Sequence, residues 1–204
     1  MFSDSTVASQ IFRRFALQII NMQKLSKWIL RKAGWSMKIT VEEPAKSVIC
    51  VAPHTSNWDF IIGKLSYWAA GRQANFLMKK SWFVFPVGNL LRSMGGVAID
   101  RSKKNSVTQQ MADEFHQRSH FHLAITPEGT RSRTTTWKMG FYHIAMKANV
   151  PIQLAYLDYA KKEMGITELF QPSGDEDADL KKIQAFYQGI QARFPEKFNA
   201  GFAN

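Results

Sequence analysis

The sequence predicts a single α/β domain built on a central mixed, largely parallel sheet flanked by helices, plus an N-terminal amphipathic helical segment. Three features carry that expectation. Short apolar runs, above all the β-branched run Val48 to Ala52, have the composition of strands covered on both faces. Longer stretches with apolar residues at helical spacing separate these runs, the alternation that builds a parallel sheet. A histidine and two arginines fall just past expected strand ends, where open α/β sheets place their ligands. The expected boundaries are 1–34 for the helical segment and 35–204 for the domain.

Residues 7–33 place Ile11, Phe12, Phe15, Ala16, Ile19, Met22, Ser26, Ile29 and Leu30 on one helical stripe, with Arg13, Lys24, Lys27 and Arg31 opposite. Leu17, Ile20 and Trp28 intrude on the basic side, so the helix has more apolar surface than one packing face uses. It suits either a membrane interface or a cover over its own domain. Gly34 marks its end. Met37 to Val41 alternates like an edge strand, and the run Val48 to Ala52 follows. Thr55, Ser56 and Asn57 are capping residues ahead of an apolar helix ending near Gly71.

Ala74 to Met78 reads as a strand closed by Lys79 and Lys80. The next stretch, Trp82 to Gly95, is apolar and punctuated by glycine; Phe83, Phe85, Val87, Leu90, Leu91 and Met94 suit a core or a channel for an aliphatic group. Val97 to Ile99 is a short strand ending at Asp100-Arg101. Asn105 to Arg118 is a helix with Val107, Met111 and Phe115 inward. Phe121 to Thr126 is a strand that feeds Pro127-Glu-Gly-Thr-Arg-Ser-Arg133, and Trp137 to Ala148 is a helix. Val150 to Tyr159 is a long strand, and Gly165 to Glu176 a turn-rich excursion. Asp175, Glu176, Asp177 and Asp179 suit the N-terminus of a last helix whose inner stripe is Leu180, Ile183, Phe186, Tyr187, Ile190 and Phe194.

With 204 residues, 45% of them apolar, the chain can bury a substantial core. Its 27 Lys and Arg against 16 Asp and Glu give a net charge of +11, which implies an anionic partner: nucleic acid, an anionic membrane surface or a phosphorylated substrate. Dispersed basic residues, and acidic residues within two of the proposed ligand loops, argue against nucleic acid. The single cysteine, Cys50, lies in an expected buried strand and reads as a small core hydrophobe in a reducing compartment. No signal peptide, membrane-spanning window, low-complexity segment or repeat is evident. His116, His120 and His122 cluster without the cysteines or carboxylates that would complete a metal shell, so no metal is expected. No phosphate-cradling Walker sequence or dinucleotide fingerprint occurs either.

The chemistry concentrates in two loops. His54 lies past the strand Val48 to Ala52, and Asp59 falls in the first turn of the helix that follows. If the chain bends there, the carboxylate receives one imidazole N–H and leaves the other ring nitrogen as a base. The alternative is structural: His54 caps a turn and Asp59 complements the helix dipole. In the second loop, Gly129 lets the backbone present N–H groups while Arg131 and Arg133 offer guanidinium forks, an anion cradle or an ordinary surface turn.

His54-Thr-Ser-Asn-Trp-Asp59, Gly96-Val-Ala-Ile-Asp-Arg101 and Pro127-Glu-Gly-Thr-Arg131, in this order, resemble the motifs of the glycerolipid acyltransferase family, whose best-known bacterial members are 1-acylglycerol-3-phosphate acyltransferases. The resemblance covers roughly residues 35–160. It implies that a fatty acyl group passes from acyl-CoA or acyl carrier protein to a glycerol phosphate-type hydroxyl, most simply that of 1-acylglycerol-3-phosphate, with no cofactor beyond the acyl donor. It implies His54 as general base and Asp59 as its orienting carboxylate, with Arg101, Arg131, Lys79, Glu128 and Gly129 holding the acceptor phosphate. It also implies peripheral attachment to the cytoplasmic face of the inner membrane, through the N-terminal helix. Pro53, Ser81 and Gln153-Leu154 depart from the family pattern, which leaves glycerol 3-phosphate and other lysolipids as alternative acceptors. A thioester hydrolase would use the same base on water, and a basic membrane- or nucleic-acid-binding protein is the non-enzymatic alternative.

Overall fold

The computed structural model describes residues 20–99 and 107–200. Among these, seven strands form one sheet: β1 (Ser36–Ile39), β2 (Lys46–Val51), β3 (Asn75–Lys79), β4 (Gly96–Ile99), β5 (Phe121–Ile125), β6 (Ile152–Asp158) and β7 (Glu163–Phe170), in the order β1-β7-β6-β2-β5-β3-β4. The five strands β2 to β6 run the same way. β7 opposes β6, and β1 is parallel to β7. The sheet is therefore mixed and mostly parallel, as the sequence predicts. The helices are α1, described from 20 to 32, α2 (Asn57–Ala69), α3 (Val87–Ser93), α4 (Val107–Gln117), α5 (Gly140–Ala148) and α6 (Glu176–Phe186).

Side chains alternate across a strand, so a strand covered on both faces must be apolar throughout. β2 shows this directly: Val48 and Cys50 join a core with Phe115, Phe141, Tyr187 and the helices α4, α5 and α6, while Ile49 joins a second core with Ile62 and Leu30 on the other face. β6 repeats the pattern, with Ile152 and Leu154 on one side and Ala155 and Leu157 on the other. Each large aliphatic or aromatic side chain buried this way contributes roughly 1.5–3 kcal/mol over leaving it in water. Cys50 is buried, and burial raises its thiol to about 12, which fits a packing role.

Two elements differ from the sequence reading. The expected turn-rich excursion after Gly165 contains β7, an eight-residue strand. Gly165 sits inside it, opposite Tyr156 of β6, and a Cβ at that position would run into the Tyr156 ring. The glycine serves close packing across the sheet and not a turn. The second difference is Trp82 to Gly95, which neither fills the core nor lines the cleft described below; Trp82, Val84, Phe85, Val87 and Leu90 are all exposed.

The start of the expected N-terminal helix, residues 7–19, lies outside the described residues. In the described part Ser26 and Leu30 are buried, and Gln23 donates to the Ala69 carbonyl at 3.2 Å, while Ile20, Leu25 and Trp28 are exposed. No described helix is long and apolar enough to cross a membrane. His122 is buried, with Nδ1 2.8 Å from Ser47 Oγ and Nε2 3.7 Å from Glu43. Burial lowers its pKa to about 4, so it is a neutral structural histidine.

Candidate functional site

Because β2 to β6 are parallel, their C-terminal ends share one edge of the sheet, and the loops that leave them converge there. His54 follows β2 and Glu128 to Arg131 follow β5, the strand next to it.

The turn at His54 is built by the start of α2. Ser56 is the N-cap, its Oγ accepting from the Trp58 N–H at 3.1 Å, and Asp59 reaches back to complete a capping box. Asp59 Oδ2 accepts the Thr55 and Ser56 N–H groups at 2.7 and 2.8 Å. The same oxygen lies 3.5 Å from His54 Nδ1, an ion-pair separation longer than a charge-assisted hydrogen bond. The carboxylate that caps the helix is thus also the acidic group beside the imidazole. Burial pushes the Asp59 carboxyl up, but the neighbouring His54 ring and hydrogen bonds from Tyr159, Ser56 and Thr55 outweigh it and hold the group below the ordinary carboxylate range. It stays ionised beside the imidazole.

Glu128 lies behind this turn. It is 2% exposed, and its Oε1 accepts the His54 backbone N–H at 2.8 Å. Burial is the main cause that raises its pKa to about 8, with the His54 N–H opposing and the Asp59 charge adding. A buried carboxyl group whose Oε1 already accepts the His54 backbone N–H is suited to holding the histidine turn.

A cleft of about 1300 Å³ opens in front of His54. Its polar lining includes His54, Asn57, Gly129, Arg131, Ser132 and Lys138, and its apolar lining includes Phe60, Phe76, Leu77 and Ile99. Gly129 takes a positive φ of 62°, so the loop after β5 turns sharply, and a side chain there would strike Lys138. The Lys138 N–H closes the loop by donating to the Pro127 carbonyl at 2.7 Å. Arg131 donates to the Asn57 side-chain oxygen, which ties the second loop to the first.

Of the residues the sequence singles out, His54, Asp59, Gly129 and Arg131 meet at this cleft. Lys79 is exposed at the end of β3, on the same sheet edge but outside the residues lining the cleft. Arg101 lies outside the described residues. Sequence reasoning missed Asn57, Lys138, Tyr159 and Arg193. Asn57 stood inside the histidine motif, where it reads as a cap. No local signal distinguishes Tyr159 and Arg193, which act from remote parts of the chain, or Lys138, which stands at the far end of the loop after β5. Tyr159, past the end of β6, donates to Asp59 Oδ1 at 2.6 Å. The Arg193 guanidinium stacks over Trp58, Tyr159 and Phe194 at 5.6, 5.9 and 5.7 Å. The Phe194 N–H reaches Thr55 Oγ1 at 3.3 Å, so the segment after α6 straps the outer side of the turn.

No curated protein sequence matches this chain. Among solved structures, a 1-acyl-sn-glycerophosphate (LPA) acyltransferase, PlsC, from Thermotoga maritima is similar in fold, with a TM-score of 0.55 at 16% identity over 84% of this chain and 78% of that one. The family model described as Acyltransferase matches residues 18–156, which span α1 through most of β6 and contain His54, Asp59 and Arg131, and the chain belongs to the acyltransferase family.

Proposed function

We propose that this acyltransferase moves a fatty acyl group from an acyl-CoA or acyl carrier protein thioester to the hydroxyl of a 1-acylglycerol-3-phosphate-type acceptor, with His54 as general base. The observation that carries this reading is that His54 Nδ1 faces the ionised Asp59 while Arg131 and Lys138 line the same cleft. With Nδ1 turned toward the carboxylate, Nε2 is the nitrogen left to take a proton from an alcohol.

In the proposed step, His54 Nε2 removes the hydroxyl proton as the oxygen attacks the thioester carbonyl. The C–O bond forms and the carbonyl electrons move onto its oxygen. On collapse the C–S bond breaks and the imidazolium returns its proton to the thiolate, so no acyl-enzyme forms. General-base help of this kind is typically worth about 10²–10⁴-fold, and Asp59 supports it by stabilising the imidazolium. Arg131 and Lys138 supply cationic contacts for the acceptor phosphate, Arg131 through a planar fork oriented by Asn57. Phe60, Phe76 and Leu77 offer the apolar wall an acyl chain needs. Glu128 serves in this scheme by fixing the His54 turn.

The test is a turnover assay of the purified chain with acyl-CoA and acyl carrier protein donors, crossed with lysophosphatidate, glycerol 3-phosphate and phosphate-free acceptors. Acyl transfer that is greatest with lysophosphatidate and lost in His54→Ala is expected. Release of free fatty acid at a rate indifferent to every acceptor would make the protein a thioester hydrolase instead.

A further inference from the structure

We propose that the turn and short helix between β3 and β4, residues 80–93, form a lipid-facing surface that seats the cleft against an anionic bilayer; the inference rests on the reading of the acceptor as a lipid. Phe85 is 87% exposed and Trp82 60%, and Val84, Val87 and Leu90 are exposed with them. Isolated apolar side chains on a surface are ordinary, but five within nine consecutive positions make a patch that calls for an apolar partner.

The patch stands on a tight turn. The Gly88 N–H donates to the Val84 carbonyl at 2.6 Å, and a Cβ on Gly88 would meet the Phe83 carbonyl carbon at 2.6 Å. Phe83 points inward, its ring tip 3.2 Å from the place a Cβ would take on Gly96. The backbone is thus packed closely while the neighbouring side chains face out.

Charge selects an anionic partner. Between Asp59 and Asp100 the sequence contains no Asp or Glu, yet it contains Lys64, Arg72, Lys79, Lys80 and Arg92. Lys79 and Lys80 precede the patch, and Arg92 follows it, with its guanidinium 5.3 Å above the Phe83 ring. Aromatic and aliphatic side chains flanked by lysine and arginine suit the headgroup and acyl boundary of an anionic membrane.

Topology gives the patch its use. The 3-10 turn Lys80–Trp82 leaves the C-terminal end of β3, and His54 leaves the C-terminal end of β2, with β5 between those strands. Two strand spacings separate the two exits, about 10 Å. β3 and β4 also carry Phe76, Leu77 and Ile99 of the cleft lining. A bilayer touching the patch would therefore adjoin the cleft, and a lipid acceptor would enter sideways without leaving its apolar surroundings.

The experiment is sedimentation of the full chain with phosphatidylglycerol and phosphatidylethanolamine vesicles, comparing wild type with Trp82→Ser/Phe85→Ser and with Val84→Ser/Leu90→Ser. Each pair is expected to lower apparent vesicle affinity by at least about tenfold, with unchanged far-UV circular dichroism and unchanged transfer to a short-chain monomeric acceptor. Wild-type sedimentation by both pairs overturns the proposal. So does a wild-type dimer in light scattering that the substitutions convert to monomer, which would make the patch a contact between two copies. Vesicle binding needs no turnover: a chain that binds through these residues but transfers no acyl group keeps the surface and loses the acyltransfer reading.

Discussion

Tyr159 Oη donates a 2.6 Å hydrogen bond to Asp59 Oδ1, the carboxylate oxygen opposite the one that faces His54. The bond draws negative charge away from the imidazole side and holds the carboxylate plane. Tyr159→Phe removes the donor and keeps the ring. Without that donor the carboxylate is held less firmly toward His54 Nδ1, so on the proposed mechanism kcat should fall on the order of tenfold with KM little changed, because the loss affects the base and not the acceptor. An unchanged kcat would show that Tyr159 only packs.

His54→Ala and Asp59→Ala should separate by stability. His54 exposes 21% of its side chain, so its removal leaves the fold intact while transfer drops by about 10²–10⁴-fold. Asp59 also accepts the Thr55 and Ser56 N–H groups and completes the α2 capping box. Asp59→Ala should therefore lose activity and also about 1–2 kcal/mol of stability in urea unfolding. Equal midpoints for the two variants would contradict this dual role.

Glu128 gives a pH-dependent signature. Its folded pKa of about 8 lies above the ordinary value of 4.5, so between those values the native state holds a proton that the unfolded chain has released. Through this group, stability falls as pH rises across that window. Glu128→Gln should keep an acceptor for the His54 N–H and flatten the decline, seen by comparing unfolding near pH 5 and near pH 9. Glu128→Ala should cost about 1–3 kcal/mol at both, because it leaves the His54 N–H without its acceptor.

Arg131→Ala and Lys138→Ala should raise KM for a phosphorylated acceptor, the arginine variant by roughly ten- to hundredfold, and leave turnover of a phosphate-free acceptor unchanged. Arg131→Lys should recover little, since an ammonium lacks the fork that meets both Asn57 and a phosphate oxygen. A uniform loss across acceptors would remove these residues from phosphate recognition.

Gly165→Ala should destabilise the fold by about 1–3 kcal/mol in chemical unfolding, because its Cβ would displace the Tyr156 ring between β6 and β7. Tyr156 also donates to Glu163 Oε1 at 2.7 Å, which resists a simple ring swing. A neutral Gly165→Ala would mean that the ring moves freely.

Local pattern by itself determined the parallel core, the helices around it and the placing of His54, Asp59 and Arg131 on one sheet edge. Those properties follow from composition and period along short stretches: a doubly buried strand must be apolar, a helix must show its stripe, and a parallel sheet puts its loops at common ends. Only the tertiary structure decided which groups reinforce them. Gly165 looked like a turn because nothing nearby in the chain shows that Tyr156 crosses it, and nothing near Glu128 in the chain shows that it lies buried under the His54 N–H. Tyr159 and Arg193 reach the site from distant elements, Lys138 is folded back onto it by the turn at Gly129, and Phe85 and Trp82 were left outward by close packing behind them. Burial and hydrogen-bond partners at long chain separation are properties of the packed molecule, so no window of sequence contains them.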